Sequence, residues 1–360
     1  MTLAPNLTEL IARARADLRM GVPVLLVDGD QAAMVAAAET LTQPRLTELR
    51  RLGDPVLGIT PRRAETLKAR AYSNHVARVM LPREADAAWA RNIADPADDL
   101  AMPMKGPLRT ERGGDECLAH TAIRLCKAAQ LLPAAMVMSV DTPFELASQF
   151  SLTLLDLTGT TLPDGTSLAP VIAARVPLEA SEAGRLHIFR PEDGGEEHYA
   201  VEIGRPSRSD PVLARLHSAC FTGDILGSLK CDCGPQLRAA LAAMGEAGAG
   251  VLLYMNQEGR GIGLANKMRA YFLQDQGFDT VEANHRLGFE DDERDFRLGS
   301  EILKRMGFSS VRLMTNNPNK VAMMEATGVQ VAERVPLKVG RGAHNAAYLD
   351  TKAAKSGHLL

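Results

Sequence analysis

The most constraining feature of the chain is the regular exchange of helical and extended patterns across its second half, punctuated by glycine and proline. Pro235 sits where a first helical turn tolerates proline, and Leu237, Leu241 and Met244 recur at helical spacing. Gly248 ends that run, and Gly250–Met255 reads as a buried strand. The exchange then repeats. A helix over roughly 292–306 stops at Gly307, Val311–Thr315 is extended, Asn316-Asn317-Pro318 turns, and a short helix ends at Gly328 before another strand. Short apolar strands alternating with helices must bury a sheet beneath those helices, so the pattern predicts an α/β (α+β) fold.

The first half carries a similar alternation. A helix over Leu7–Met20 is followed by Gly21, a strand Val22–Val27 stopped by Asp28-Gly29, and an Ala-rich run, Ala32–Ala38, that predicts a helix. Between 155 and 172 the chain is rich in Thr, Gly, Asp and Pro with weak periodicity, the signature of a linker. With 360 residues the expected organisation is two domains, 1–160 and 174–360, joined over 161–173, each a mixed sheet with packed helices.

Composition narrows the function classes. The 44 acidic and 41 basic side chains leave a net charge of -3, so no global field draws the chain to nucleic acid or to an anionic membrane. Any phosphate must be held locally. The longest apolar run, Ala32–Ala38, falls far short of the roughly 20 residues that span a bilayer, and Met1–Met20 has no signal-peptide core. The expected location is cytoplasmic.

Three of five cysteines crowd together as Cys220, Cys231 and Cys233. Three soft ligands in a reducing compartment suit zinc, and an open fourth position is the arrangement of catalytic sites, where bound water reaches a pKa of about 7. His217 could instead fill the fourth position and make the site structural, and buried cysteines that merely pack are the simpler alternative. Gly223, Gly227 and Gly234 favour a tight loop around the metal. Gln257-Glu258-Gly259-Arg260-Gly261-Ile262-Gly263 lies between a predicted strand and a helix bearing Lys267 and Arg269. Its glycines would let backbone N–H groups approach an anion while Arg260 supplies a bidentate donor. Thr315 to Lys320 gathers a hydroxyl, amides and a lysine at a strand end, where ligands collect in α/β sheets, though a capped turn explains them as well. The acidic run Asp291–Asp295 stands at the expected helix start, as solvated faces often do.

Together these segments resemble the GTP cyclohydrolase II family of riboflavin biosynthesis. The resemblance covers 174–360, through RLHSACFTGDILGSLKCDCGPQL (215–237), YMNQEGRGIGLANKMRAY (254–271), LQDQGFDTVEANHRLGFEDDERDF (273–296), LMTNNPNK (313–320) and ERVPL (333–337). It implies one zinc per subunit on Cys220, Cys231 and Cys233, magnesium with the GTP phosphates, and a homodimer. It also implies GTP contacts at Arg215, Leu216, His217, Ser218, Ala219, Gln236, Glu258, Gly259, Arg260, Thr280, Thr315 and Lys320. Asp292 matches a proton acceptor, Arg294 a nucleophile toward the α-phosphate, and Tyr271 a tyrosine of the ring-opening step. A guanidinium stays protonated, so charge stabilisation is the conservative role for Arg294. Glu258 and Gln236 offer hydrogen-bond partners for a guanine edge. Two positions depart from the family, Ala219 in place of Glu and Asn256 in place of Arg; they keep open a paralogue that opens GTP in another pathway, or a GTP-binding pseudoenzyme.

The first half is similar, more faintly, to 3,4-dihydroxy-2-butanone 4-phosphate synthase, through MGVPVLLVDGD (20–30), VAAAETLT (35–42), LGITPRRAETL (57–67) and HTAIRLCKAAQLLPAAMV (120–137). The family's acidic stretch after Asp30 is replaced by Gln-Ala-Ala-Met-Val, and its later glutamate by Ser139, which leaves His120 without carboxylate partners for magnesium. The expected role is that of an inactive, degenerate domain.

Overall fold

A computed structural model describes residues 3–340, apart from 115 and 166, together with 342, 345 and 346. The other C-terminal residues of the expected second domain lie outside the described residues. In chain order the elements begin α1 (Leu7–Arg19), β1 (Val24–Asp28), β2 (Gln31–Ala37), α2 (Gln43–Leu52), β3 (Val56–Ile59), α3 (Pro61–Thr66), β4 (Ala77–Met80), α4 (Ala87–Ala94), α5 (Cys117–Ala128), β5 (Ala134–Ser139), α6 (Pro143–Phe150) and β6 (Leu154–Asp156). They continue with β7 (Leu168–Arg175), β8 (Gly184–Pro191), β9 (His198–Ile203), β10 (Val212–Ser218), α7 (Cys233–Glu246), β11 (Gly250–Met255), α8 (Leu264–Asp275), α9 (Thr280–Leu287), α10 (Arg297–Arg305), β12 (Ser310–Met314), α11 (Pro318–Ala326) and β13 (Gln330–Val335).

These elements form two compact units, each with its own mixed sheet. The first unit holds the chain up to Asp164 and the segment Ile262–Glu293. Its sheet runs β4-β3-β5-β2-β1-β6, antiparallel except for the β1–β6 pair. The second unit holds Gly165–Gly261 and the chain from Arg294 onward. Its sheet runs β13-β12-β10-β11-β9-β8-β7, parallel from β13 to β11 and antiparallel beyond.

Several expectations give way here. The Ala-rich run expected to be helical is the strand β2, because Asp28-Gly29 reverses the chain into a hairpin with β1 and the small side chains pack between β1 and β5. The linker is shorter than expected, since Leu154–Asp156 pairs with β1 and β7 already begins at Leu168. The helix α10 starts at Arg297, after the acidic run, because the Asp295 carboxylate accepts from the Arg297 N–H at 2.9 Å.

The largest difference is that Ile262–Glu293, expected in the second domain, belongs to the first unit. Ile262, Ala270, Leu273, Ala283, Leu287 and Phe289 are buried in the same core as Leu57, Ile59 and Ile93. Polar contacts reinforce that apolar seal. Arg269 donates to Glu39 at 3.0 Å and Asp95 at 2.9 Å. Arg63, 1% exposed, donates to the Asp99 carboxylate, to the Ile93 carbonyl at 2.7 Å, and to the Arg286 carbonyl at the end of α9. Burying so much donor capacity is tolerable only because each of these groups is met.

Candidate functional site

In the second unit β12, β10 and β11 lie side by side and parallel, so their C-terminal ends open on one edge, where ligands of parallel sheets collect. Beyond β10 come Ala219 and Cys220, beyond β11 the turn Glu258–Gly261, and beyond β12 the residues Thr315 to Asn317.

Cys220 is followed by one wide helical turn, Phe221–Ile225, and Cys233 opens α7, which folds Cys231 and Cys233 back onto Cys220. The three sulfurs lie within 4.8 Å of one another, and Cys220 Sγ stands 3.7 Å from Cys231 Sγ. A tetrahedral zinc with Zn–S bonds of about 2.3 Å has sulfur–sulfur edges of about 3.8 Å, so the donor set fits that ion. The loop allows nothing larger than hydrogen at Gly223, where a Cβ would sit 2.6 Å from Cys231 Sγ and 3.1 Å from Cys220 Sγ. Hydrogen bonds to the other two thiols push the Cys233 thiol well above the ordinary range, with burial adding to the effect. A cation among them reverses that cost.

His217 does not complete this cluster. Its Nε2 donates to the Asp224 carboxylate at 3.0 Å, and among the described residues the metal-type cluster consists of the three cysteines alone. Burial holds His217 below the usual imidazole range, an effect that Asp224 opposes. Asp224, its side chain 1% exposed, also accepts from the Cys220 N–H and from the Tyr254 hydroxyl, each at 3.0 Å. The strand register sets this up: His217 on β10 pairs with Tyr254 on β11, and their rings stack 5.5 Å apart. Burial, with Asp224 adding to it, pushes the Tyr254 hydroxyl well above its usual range and keeps it a donor. Sequence reasoning passed over Asp224 and Tyr254, because an acid in a glycine-rich loop reads as solvated and the tyrosine as core.

A second relay lies behind the thiols. Arg215, 7% exposed, donates to the Met314 carbonyl at 3.0 Å and to Gln236 Oε1, while Gln236 Nε2 donates to Asp232. Burial lowers Arg215 to about 10. Each end of the Gln236 amide therefore makes a contact inside the protein, Oε1 with Arg215 and Nε2 with Asp232. The Glu258 carboxylate accepts from the Phe221 N–H at 2.5 Å and so clamps the cysteine loop. Leu216 keeps its side chain in the core and offers only its backbone, whose carbonyl accepts from Lys320 Nζ at 3.1 Å.

Cations converge on the same edge. Arg294 Nη1 donates to Ser218 Oγ at 3.3 Å, and both Arg294 and Lys320 lie over the ring of Phe296. Gly259 and Arg260 are both left-handed, with φ of 64° and 62°. For arginine that conformation costs about 1–3 kcal/mol, strain typical of ligand-binding turns. Thr315 is buried, its hydroxyl accepting from the Asn317 N–H at 3.0 Å. Of the departures, Ala219 donates its N–H to the Met255 carbonyl at 2.8 Å, and Asn256 is structural, its side chain donating to the Glu197 carbonyl at 2.6 Å.

Tyr271, Thr280 and Asp292 lie on Ile262–Glu293, in the first unit. Tyr271 stands under Lys267 Nζ at 5.6 Å, Thr280 opens α9 and accepts from Gln274 at 3.2 Å, and Asp292 is exposed beyond that helix.

Residues 170–336 match the profile of a family described as GTP cyclohydrolase II. A GTP cyclohydrolase-2 from Azospirillum brasilense is 43% identical, across 97% of this chain and 94% of its own length. The chain belongs to the GTP cyclohydrolase II family. A GTP cyclohydrolase-2 from Cronobacter sakazakii is 61% identical over 46% of this chain and 84% of its own. A solved structure titled RibBX, a two domain 3,4-dihydroxy-2-butanone 4-phosphate synthase from A. baumannii, covers 91% of this chain and 99% of that one at 15% identity and a TM-score of 0.33. That likeness is too distant to carry fold or function across. As a member of the GTP cyclohydrolase II family the chain is an enzyme, and no helix among its described residues is long and apolar enough to cross a membrane.

Proposed function

We propose that this member of the family opens the imidazole ring of GTP, releasing formate and pyrophosphate and leaving 2,5-diamino-6-(5-phosphoribosylamino)pyrimidin-4(3H)-one, the first committed step of riboflavin biosynthesis. The observation that carries the reading is the placement of the three thiols, at zinc spacing, on the same strand edge as Arg294 and Lys320. Zinc held by Cys220, Cys231 and Cys233 would supply the Lewis acidity that makes water a nucleophile at neutral pH. Arg294 and Lys320 bind the phosphate chain, with magnesium on the phosphates themselves. Arg294 acts as a fixed positive charge where negative charge grows at the α-phosphate; because a guanidinium stays protonated, nucleophilic attack by it is the poorer reading. Arg260, held in its strained turn, offers a further donor. Asp292 is assigned to accept a proton and Tyr271 to assist ring opening, both from the family motif.

Residues 1–160 are read as a degenerate synthase-like domain. Where that family carries its acidic stretch, this chain has β2, whose Ala33, Met34 and Val35 are buried core.

Mass spectrometry of the small molecules formed from GTP by zinc-loaded protein with magnesium tests the whole reading. The diaminopyrimidine ribosyl phosphate with formate and pyrophosphate is expected. A formylated product would favour the paralogue, and unchanged GTP a nucleotide-binding pseudoenzyme. On the same assay Lys320→Ala raises KM for GTP roughly tenfold with a smaller change in kcat, the pattern of lost ground-state binding.

A further inference from the structure

Asp292 stands between α9 and α10 on a stretch outside the backbone ladders that fix a helix or a strand. Side chains hold that stretch. Phe289 anchors its start in the core of the first unit. The Glu293 carboxylate then reaches back to accept from the Glu290 N–H at 2.9 Å, which draws the four acids Glu290–Glu293 into one loop. His285 on α9 meets Asp291 at 2.7 Å. Four adjacent carboxylates repel one another, and opening the loop would relieve that repulsion.

Two cations of the same unit oppose the opening. Arg62, on α3, donates to Glu290 Oε2 through Nη2 at 3.0 Å and through Nε at 3.2 Å. Lys127, in the last turn of α5, donates to Glu293 at 2.6 Å. Both have firm mounts. Thr60 caps α3, its hydroxyl accepting from the Arg63 N–H at 3.3 Å, and α5 buries Leu125 and Cys126 beside Lys127. Asp292 is exposed between the two acids so held. Ion pairs near the surface add little to the stability of a fold, so the consequence of these two is local: they set the shape of the loop.

We infer that Arg62 and Lys127 are positioning residues for the cyclohydrolase reaction, holding the loop Glu290–Glu293 closed so that Asp292 presents its carboxylate to the proton it accepts. The inference deepens the reading above and rests on its assignment of Asp292. It gives residues 1–160, read as a degenerate domain, a part in the chemistry of the chain.

The test compares Arg62→Gln, Lys127→Gln and the double variant with wild type, each as the full-length zinc-loaded protein. Hydrogen exchange read by mass spectrometry follows the peptides that span 288–296, and steady-state kinetics separates kcat from KM for GTP. In the double variant the loop exchanges roughly tenfold faster and kcat falls roughly thirtyfold, since a misplacement of about 1 Å can cost a hundredfold. KM for GTP, zinc content and melting temperature stay near wild type. Swapping the charges, Arg62→Glu with Glu290→Arg, recovers most of the kcat lost in Arg62→Glu alone. In an Asp292→Asn background the double variant costs nothing further, because both changes act through one carboxylate. Unchanged exchange of the loop, unchanged kcat once the loop is loosened, or a loss of kcat that persists in the Asp292→Asn background would overturn the inference. Wild-type turnover in Asp292→Asn would show instead that Asp292 is not the proton acceptor. If the wild-type protein leaves GTP intact, the cyclohydrolase reading fails, and the exchange readout still decides whether the two cations hold the loop.

Discussion

Cys231→Ser is expected to lose its zinc and, with it, GTP ring opening. Serine keeps nearly the same shape but replaces a soft thiolate with a hydroxyl that stays protonated near neutral pH, and two thiolates alone hold zinc far more weakly. Cys231 is also the sulfur that stands 3.7 Å from Cys220, so its loss removes one edge of the donor triangle. Metal analysis of the purified variant should fall from one zinc per chain to roughly a tenth or less, and kcat/KM for GTP by about a thousandfold or more. Wild-type protein stripped by a chelator should match the variant and recover when zinc is returned; the variant should not recover. Circular dichroism guards against a trivial outcome, because the core around Leu216, Leu253 and Leu313 does not depend on the sulfurs. Full zinc and full turnover in Cys231→Ser would mean that the three thiols are not the metal site.

The parts of this site that were legible in the sequence are those whose partners are near in the chain. Cys231 and Cys233 are two residues apart, Cys220 is joined to them by a short glycine-bearing loop, and the strands that lead to Glu258 and Thr315 announce themselves by apolar runs ended by asparagine. What stayed hidden depends on distant partners. Ala32–Ala38 has the composition of a helix, and only its pairing with β1 and β5 makes it a strand. The amphipathic pattern of α8 and α9 says that one face is buried but not in which core, so their place beside Leu57 and Ile93 could not be read from spacing. The contact of Gln236 with Arg215 could not be read from spacing, because the two are 21 residues apart in the chain.

Asp224 is the clearest case of such a hidden residue, and Asp224→Ala carries the second large expectation. The carboxylate accepts from Cys220 N, His217 Nε2 and Tyr254 Oη in a site closed to water. All three donors meet at one oxygen, Oδ2, with His217 also 3.1 Å from Oδ1, and alanine removes both acceptors. Two of the three can adapt: the tyrosine hydroxyl can rotate, and His217 can move its proton to the other ring nitrogen. The Cys220 N–H cannot, since it is fixed to the backbone of a metal ligand. The damage therefore falls on the position of Cys220, and a lost partner in the shell that orients a ligand costs about 10–100-fold in metal affinity. Competition against a chromogenic chelator should show that weakening, and the melting temperature should fall as well, since each buried donor left unmet costs about 1–3 kcal/mol. Tyr254→Phe removes one donor but leaves the carboxylate on the Cys220 N–H and should cost little in zinc affinity. Equal zinc affinity in Asp224→Ala and wild type would show that the cysteine loop holds its shape without the carboxylate, and that Asp224 serves only the packing of His217 against Tyr254.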